Sequence, residues 1–120
     1  MTAHALPRAE RPCKRCPWRK DVPPGEFPAS RYEELRVTSE QVPGDEPGLD
    51  APMFACHKTK EGREKACAAW LAAVGHRHIG VRLAVAQGRL PAQALTPGES
   101  WPPLFATYEE MATTQAGEDR

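Results

Sequence analysis

EKACAAWLAAVGHRHIGVRLAVAQG, residues 64–88, is the stretch that decides the fold. Cys67, Trp70, Leu71 and Val74 fall at i, i+3, i+4 and i+7, which lines them along one helix face. The pattern predicts a helix from about Glu64 to Val74, with Gly75 as its stop. A second helix is expected from about Arg77 to Gln87. It carries Ile79, Leu83 and Ala86 on one face with Val81 and Val85 beside them, and Gly88 and Pro91 end it.

Away from this pair the apolar pattern thins. Met53-Phe54-Ala55-Cys56 is a brief run suited to a short strand. Residues 39–52, SEQVPGDEPGLDAP, read as an acidic loop. Ser30 with Glu33 fits a capping box for a short helix that ends near Thr38, with Tyr32 and Leu35 on one face. Residues 21–28 are proline-rich and extended, and residues 13–20, CKRCPWRK, form a tight turn. Beyond Pro91 comes a turn-rich connection. Trp101-Pro102-Pro103 reads as an extended segment anchored by its tryptophan. A last helix is expected over residues 103–113, with Leu104, Tyr108 and Met111 aligned. Residues 1–12 and 114–120 read as flexible tails around a single domain of residues 13–113, and no internal repeat is visible.

The 120 residues contain only eight Leu, six Val, one Ile and three Phe, whereas alanine supplies 18 of the apolar positions. Thirteen prolines and nine glycines add further breaks. Such a chain is short of core material and is expected to need a staple, either disulfides or a metal. The expected class is therefore a mostly α, small, loop-rich, metal-stapled domain. It has three or four short helices, a C-x-x-C knuckle and at most a short strand pair.

No run approaches the roughly 20 apolar residues of a membrane span, and the N-terminus lacks the apolar stretch of a signal peptide. The chain is expected to be cytoplasmic, where thiols stay reduced and cysteine patterns favour metal or redox chemistry over structural disulfides. Net charge is zero, which argues against a wholesale nucleic-acid binder, but charge is segregated. Residues 11–20 and residues 56–90 each sum to +5, while residues 39–50 and 97–120 each sum to −4. All four cysteines lie in the two basic blocks.

Cys13 and Cys16 form a C-x-x-C pair, a spacing that lets two thiolates reach one ion from a turn whose amides can bond the sulfurs. Cys56 would close a short strand, and Cys67 would sit near a helix start, where the dipole favours a thiolate. Four thiolates suit zinc or an iron–sulfur cluster. A redox-active C-x-x-C fits less well, because no strand-to-helix turn of a βαβ unit surrounds Cys13. Unliganded or disulfide-bonded thiols complete the alternatives. A structural zinc held by Cys13, Cys16, Cys56 and Cys67 is the favoured reading. In small fingers such an ion contributes about 10–16 kcal/mol to folding, as much as a whole domain's stability.

CPWRKDVPPGEFP, FACH and CAAWLAAVGHRHIGVRLAVAQGRLP resemble a family of small uncharacterised four-cysteine proteins of actinobacteria and their phages. The shared pattern is C-x-x-C-P-aromatic-Arg, then aromatic-x-Cys-His, then a cysteine opening a Trp-containing helix. It spans roughly residues 12–112, with Cys13, Cys16, Cys56 and Cys67 at its cysteine positions and Trp18, Arg19, His57 and Trp70 at its flanking ones. The resemblance implies a shared metal site and fold, and no activity.

His57 is open to three readings: a ligand replacing one cysteine, a partner that orients a sulfur or a carbonyl, or an exposed side chain. His76 and His78 do not share a helical face, so helix capping or solvent exposure suits them better than metal binding. Trp18 and Trp70 are expected to pack in the core beside the metal. Lys14, Arg15, Arg19 and Lys20 could contact phosphate, or simply offset the −2 charge of a zinc ion with four thiolates. No Ser/His/Asp set, phosphate-cradling glycine loop or H-E-x-x-H is present, and four cysteines leave zinc no open catalytic position. The expectation is a non-enzymatic zinc module that binds nucleic acid or an acidic protein through a basic patch. The alternative is an iron–sulfur redox sensor or electron carrier.

Overall fold

The computed structural model describes residues 5–25, 27–40, 46–48, 51–56 and 65–116. Alanine, tryptophan and leucine after Cys67 form the central helix. We number the helices α1 (Ala29–Leu35), α2 (Ala68–Val74), α3 (Ile79–Ala86) and α4 (Tyr108–Ala116). Short 3-10 turns follow at Arg36–Thr38, Gly75–Arg77 and Ala92–Leu95. Strand pairing among the described residues is limited to isolated bridges: Arg8 with Ala66, Ala55 with Ala66, and Arg19 with Leu104. The fold is thus mostly helical and loop-rich, as its sequence predicts.

In α2, Ala68, Ala69, Trp70, Leu71 and Val74 are all buried, so this helix is enclosed on nearly every side. It begins later than the periodicity implies. Ala66 pairs with both Ala55 and Arg8, and the Cys67 N–H donates to the Phe54 carbonyl at 2.9 Å. Cys67 is therefore held extended (ψ 127°) and becomes the N-cap. Glu64 lies outside the described residues.

Gly75 does not stop α2 by a left-handed turn: its φ is −52° and a 3-10 turn continues from it. A Cβ there would stand 2.7 Å from Leu95 Cδ2 and 3.3 Å from Val81 Cγ1, so a side chain would make Leu95 shift. Gly88 is the true stop, with φ +76°. The Arg89 N–H reaches the Ala84 carbonyl at 2.8 Å and the Gly88 N–H the Val85 carbonyl at 3.1 Å, a Schellman closure of α3.

Two other boundaries move. Pro28, not Ser30, caps α1, and the Glu33 carboxylate turns forward to Arg36 at 2.7 Å instead of back to the helix start. Residues 103–107 are not helical, so Leu104 is not part of the α4 face. After two prolines the chain stays extended. The Lys20 N–H donates to the Pro103 carbonyl and the Phe105 N–H to the Trp18 carbonyl, at 2.9 and 3.0 Å. Thr107 then starts α4: its Oγ1 accepts from the Glu110 N–H at 3.1 Å, and the Glu110 carboxylate takes the Ala106 N–H at 3.3 Å.

The core joins these parts through aromatic rings. Trp18, Phe54 and Tyr108 meet edge to face with centroids 5.9–6.4 Å apart, a geometry that aromatic quadrupoles favour. The Tyr108 hydroxyl donates to the Tyr32 carbonyl at 2.5 Å, tying α4 to α1. Residues within the expected tails also engage the body. The Leu6 N–H donates to the Arg89 carbonyl at 2.9 Å, Ala9 pairs with Ala66, and Gln115 is 1% exposed.

Candidate metal centre

Two local structures deliver the four cysteines. The residue 13–20 turn carries two of them. Its backbone is closed by the Cys16 N–H to the Cys13 carbonyl at 3.2 Å and the Arg19 N–H to the Cys16 carbonyl at 3.1 Å. Cys56 and Cys67 come from the short antiparallel pairing around Ala55 and Ala66, where the Cys56 N–H also donates to the Lys65 carbonyl at 2.7 Å. The structure therefore brings together cysteines separated by half the chain. Cys16 Sγ stands 3.7 Å from Cys67 Sγ. Cys13 lies within side-chain hydrogen-bonding reach of both Cys16 and Cys56. None of the four is in a disulfide; Cys13 is partly exposed and the other three are buried.

Cys16 and Cys67 meet directly, and Cys13 stands near both Cys16 and Cys56. Among the described residues, no group of three or more His, Cys, Asp or Glu side chains is already arranged to hold a metal ion. The turn nevertheless aims backbone donors at its sulfurs: the Arg15 amide serves Cys13 and the Trp18 amide serves Cys16. Each bond favours the thiolate, but other effects outweigh it here. The Cys13 thiol is pushed well above its ordinary value by its contact with Cys16 and then by burial. For Cys16, the Cys13 contact pulls down, while the Cys67 contact and burial push up and prevail. Mutual contact and burial thus favour the protonated form of Cys13 and Cys16. A nearby cation would reverse the balance, because coordination deprotonates a thiol outright.

The turn is braced from outside. Arg19 forks onto Asp21 with two 2.8 Å bonds and donates a third to the Cys13 carbonyl at 3.1 Å. Gln115 on α4 donates to the Pro17 carbonyl at 2.7 Å and to the Arg19 carbonyl at 3.2 Å. No local pattern marks this role of Gln115, because its partners lie 96 to 98 residues away.

The flanking residues divide. Trp18 is fully buried beside the knuckle, against Phe54 and Tyr108. Trp70 is equally buried: its Nε1–H donates to Ser39 Oγ at 3.0 Å and its ring meets His78 at 5.1 Å. His78 is a cap. Its Nδ1 accepts from the Val81 N–H at 3.2 Å, so Nε2 carries the proton donated toward the Ala51 and Pro52 carbonyls. His76 is exposed, and His57 lies outside the described residues.

Of the expected anion-binding set, Lys14, Arg15 and Lys20 are exposed, whereas Arg19 is committed to Asp21 and the knuckle. Lys14 and Arg15 border an open cleft of ≈ 310 Å³ that Asp21 and Val22 share. From the second basic block, Lys65 and Arg82 are exposed, and the Arg8–Ala66 bridge sets Arg8 beside Lys65. Lys58, Lys60 and Arg63 lie outside the described residues. No helix among the described residues is long and apolar enough to cross a membrane.

DUF6283, a family of unknown function, matches residues 8–119. The chain belongs to DUF6283. The match spans the knuckle, all four helices and the segment from Arg8 that pairs with Ala66, and it agrees with the resemblance to an uncharacterised family. No curated protein and no solved structure matches this DUF6283 chain.

Proposed function

We propose that this chain is a non-catalytic zinc module of the cytoplasm, with the ion held by Cys13, Cys16, Cys56 and Cys67. The observation that carries the proposal is the convergence of four thiols, two of them on a turn that directs backbone amides at sulfur. The 3.7 Å Sγ–Sγ separation agrees with the chemistry. Four sulfurs about 2.3 Å from a single ion stand about 3.8 Å apart along each tetrahedral edge. In a four-iron cluster each cysteine sits on its own iron and the sulfurs stand farther apart, so the spacing speaks against that cluster, while a two-iron cluster with two cysteines on one iron is told apart by metal content.

An ion at this position would link the knuckle to the strand end at Cys56 and the N-cap of α2, so its role is structural. Exposed Lys14, Arg15, Lys20 and Lys65 then surround the site with positive charge for a nucleic-acid backbone. An acidic protein face is the alternative partner.

Anaerobically purified protein should be colourless and contain one zinc per chain; brown protein with iron and sulfide would overturn the zinc assignment. Single-stranded and duplex DNA and RNA should bind at low salt and dissociate as salt rises, since phosphate contacts release counterions. Lys14→Gln with Arg15→Gln should weaken binding without changing metal content. No binding at low salt would remove the nucleic-acid partner and leave the metal site standing.

A further inference from the structure

Away from the thiols, an open cleft of ≈ 370 Å³ lies between the N-terminal segment and the connection that follows α3. That size falls within the range of small-ligand sites, about 300–1,000 Å³. Backbone bonds hold the N-terminal wall in place: the Ala9 N–H donates to the Ala66 carbonyl at 2.9 Å, and the Ala66 N–H to the Pro7 carbonyl at 3.0 Å. Trp101 belongs to the other wall. Its backbone N–H donates to the Gly98 carbonyl at 3.1 Å, and its indole lies over Gly98, where a Cβ would stand 2.7 Å from Nε1 and 3.0 Å from Cδ1. Trp18 and Trp70 are 0% exposed, whereas Trp101 is only partly buried. The cleft also takes in the side chains of Arg8, Glu10, Gln93, Thr96 and Glu99. Among the described residues, none of these five side chains hydrogen-bonds or ion-pairs with another group.

We infer that this cleft is a second binding site, one that takes an arginine side chain of a partner peptide. Charge decides the sign of the ligand. Two carboxylates, Glu10 and Glu99, outnumber the single guanidinium of Arg8, so the cleft disfavours a phosphate and favours a cation. The indole adds to this preference, because its ring face attracts positive charge. A guanidinium suits the set better than an ammonium. It is planar, so it packs on an aromatic ring, and its fork of N–H donors matches a carboxylate. The peptide's arginine packs against Trp101 and donates to Glu10 and Glu99. Gln93, Thr96 and Arg8 serve the amide and carbonyl groups beside it.

The test titrates the full-length protein with N-acetyl-arginine amide and follows the indole N–H signals of its three tryptophans by NMR. The Trp101 signal is the one missing from Trp101→Phe. The arginine amide should shift that signal saturably and leave those of Trp18 and Trp70 in place. N-acetyl-citrulline amide, similar in shape but uncharged, should bind several-fold more weakly. Glu10→Gln with Glu99→Gln should weaken arginine binding by about 2- to 10-fold with an unchanged melting temperature. Gly98→Ala, which displaces the indole, should weaken it as well. No saturable shift, equal binding of the citrulline amide, or full affinity in the Glu10→Gln, Glu99→Gln protein would overturn the inference. So would a shift of the Trp101 signal by a single-stranded oligothymidylate but not by the arginine amide, which would assign the ring to base stacking. None of the four cysteines, nor Lys14, Arg15, Lys20 or Lys65, lines the cleft, so failure here leaves the zinc module and its basic patch standing.

Discussion

Gln115 shows how a single side chain can hold the knuckle from a distance. Its amide spans two carbonyls of the turn at 2.7 and 3.2 Å while remaining 1% exposed. Gln115→Ala leaves the buried Pro17 carbonyl without its donor, which costs about 1–3 kcal/mol. Urea unfolding should read that loss, and an unchanged midpoint would show that the bonds contribute nothing. His78 acts similarly at the other end of the core. Replacing it with Ala removes the α3 cap and the tether to Ala51 and Pro52, for about 2–3 kcal/mol by the same measurement. By sequence His78 suits a cap or a surface position, and the cap is its role. Arg19, a candidate for phosphate contact or charge offset by its sequence, is spent on Asp21 and the Cys13 carbonyl.

At the scale of elements, local signals failed where longer-range pairing competed with them. The Cys67–Val74 spacing correctly identifies α2, but pairing of Ala66 on both sides holds Cys67 extended and delays the helix. The Ser30–Glu33 signal was outcompeted by Pro28, whose carbonyl already accepts the Arg31 N–H at 3.0 Å. An equivalent signal that does operate, Thr107 with Glu110, sits inside the expected last helix and marks its actual start. Thr107→Ala should therefore destabilise the protein by about 1 kcal/mol, whereas Ser30→Ala should be neutral. Thermal melts of the two variants side by side check this, and equal losses would contradict the assignment.

The whole molecule depends on links between remote segments, and one of these is electrostatic. Arg36 bonds Glu33 and Glu109 at 2.7 Å each, contacts Glu40, and lies 5.6 Å from the Tyr108 ring centre. Its guanidinium holds the Glu109 carboxyl below the ordinary value, against a smaller opposing effect of burial. A carboxyl depressed in the folded state contributes stability above its unfolded pKa. That contribution is lost as pH falls through the folded value. Glu109 is 47% exposed, so solvent screening keeps the pair to about 0.2–1 kcal/mol. Stability of wild-type protein should drop more than that of Glu109→Gln between about pH 6 and pH 3. Equal drops in urea midpoints would remove the link. On the zinc proposal, chelation or Cys67→Ser should cost far more and abolish cooperative melting. A sharp, wild-type-like transition after chelation would show that the aromatic core suffices.

The sequence by itself determined the helical class, the central helix, the Gly88 stop and the identity of four candidate ligands, because these depend on periodicity, backbone permissiveness and residue chemistry within a few positions. Only the tertiary structure decided that Cys13 meets Cys56, that Cys16 meets Cys67, that Gln115 holds the knuckle, and that α2 starts at Ala68. These are pairings between distant segments. Their free energy comes from hydrogen bonds and burial shared by partners that no local window contains.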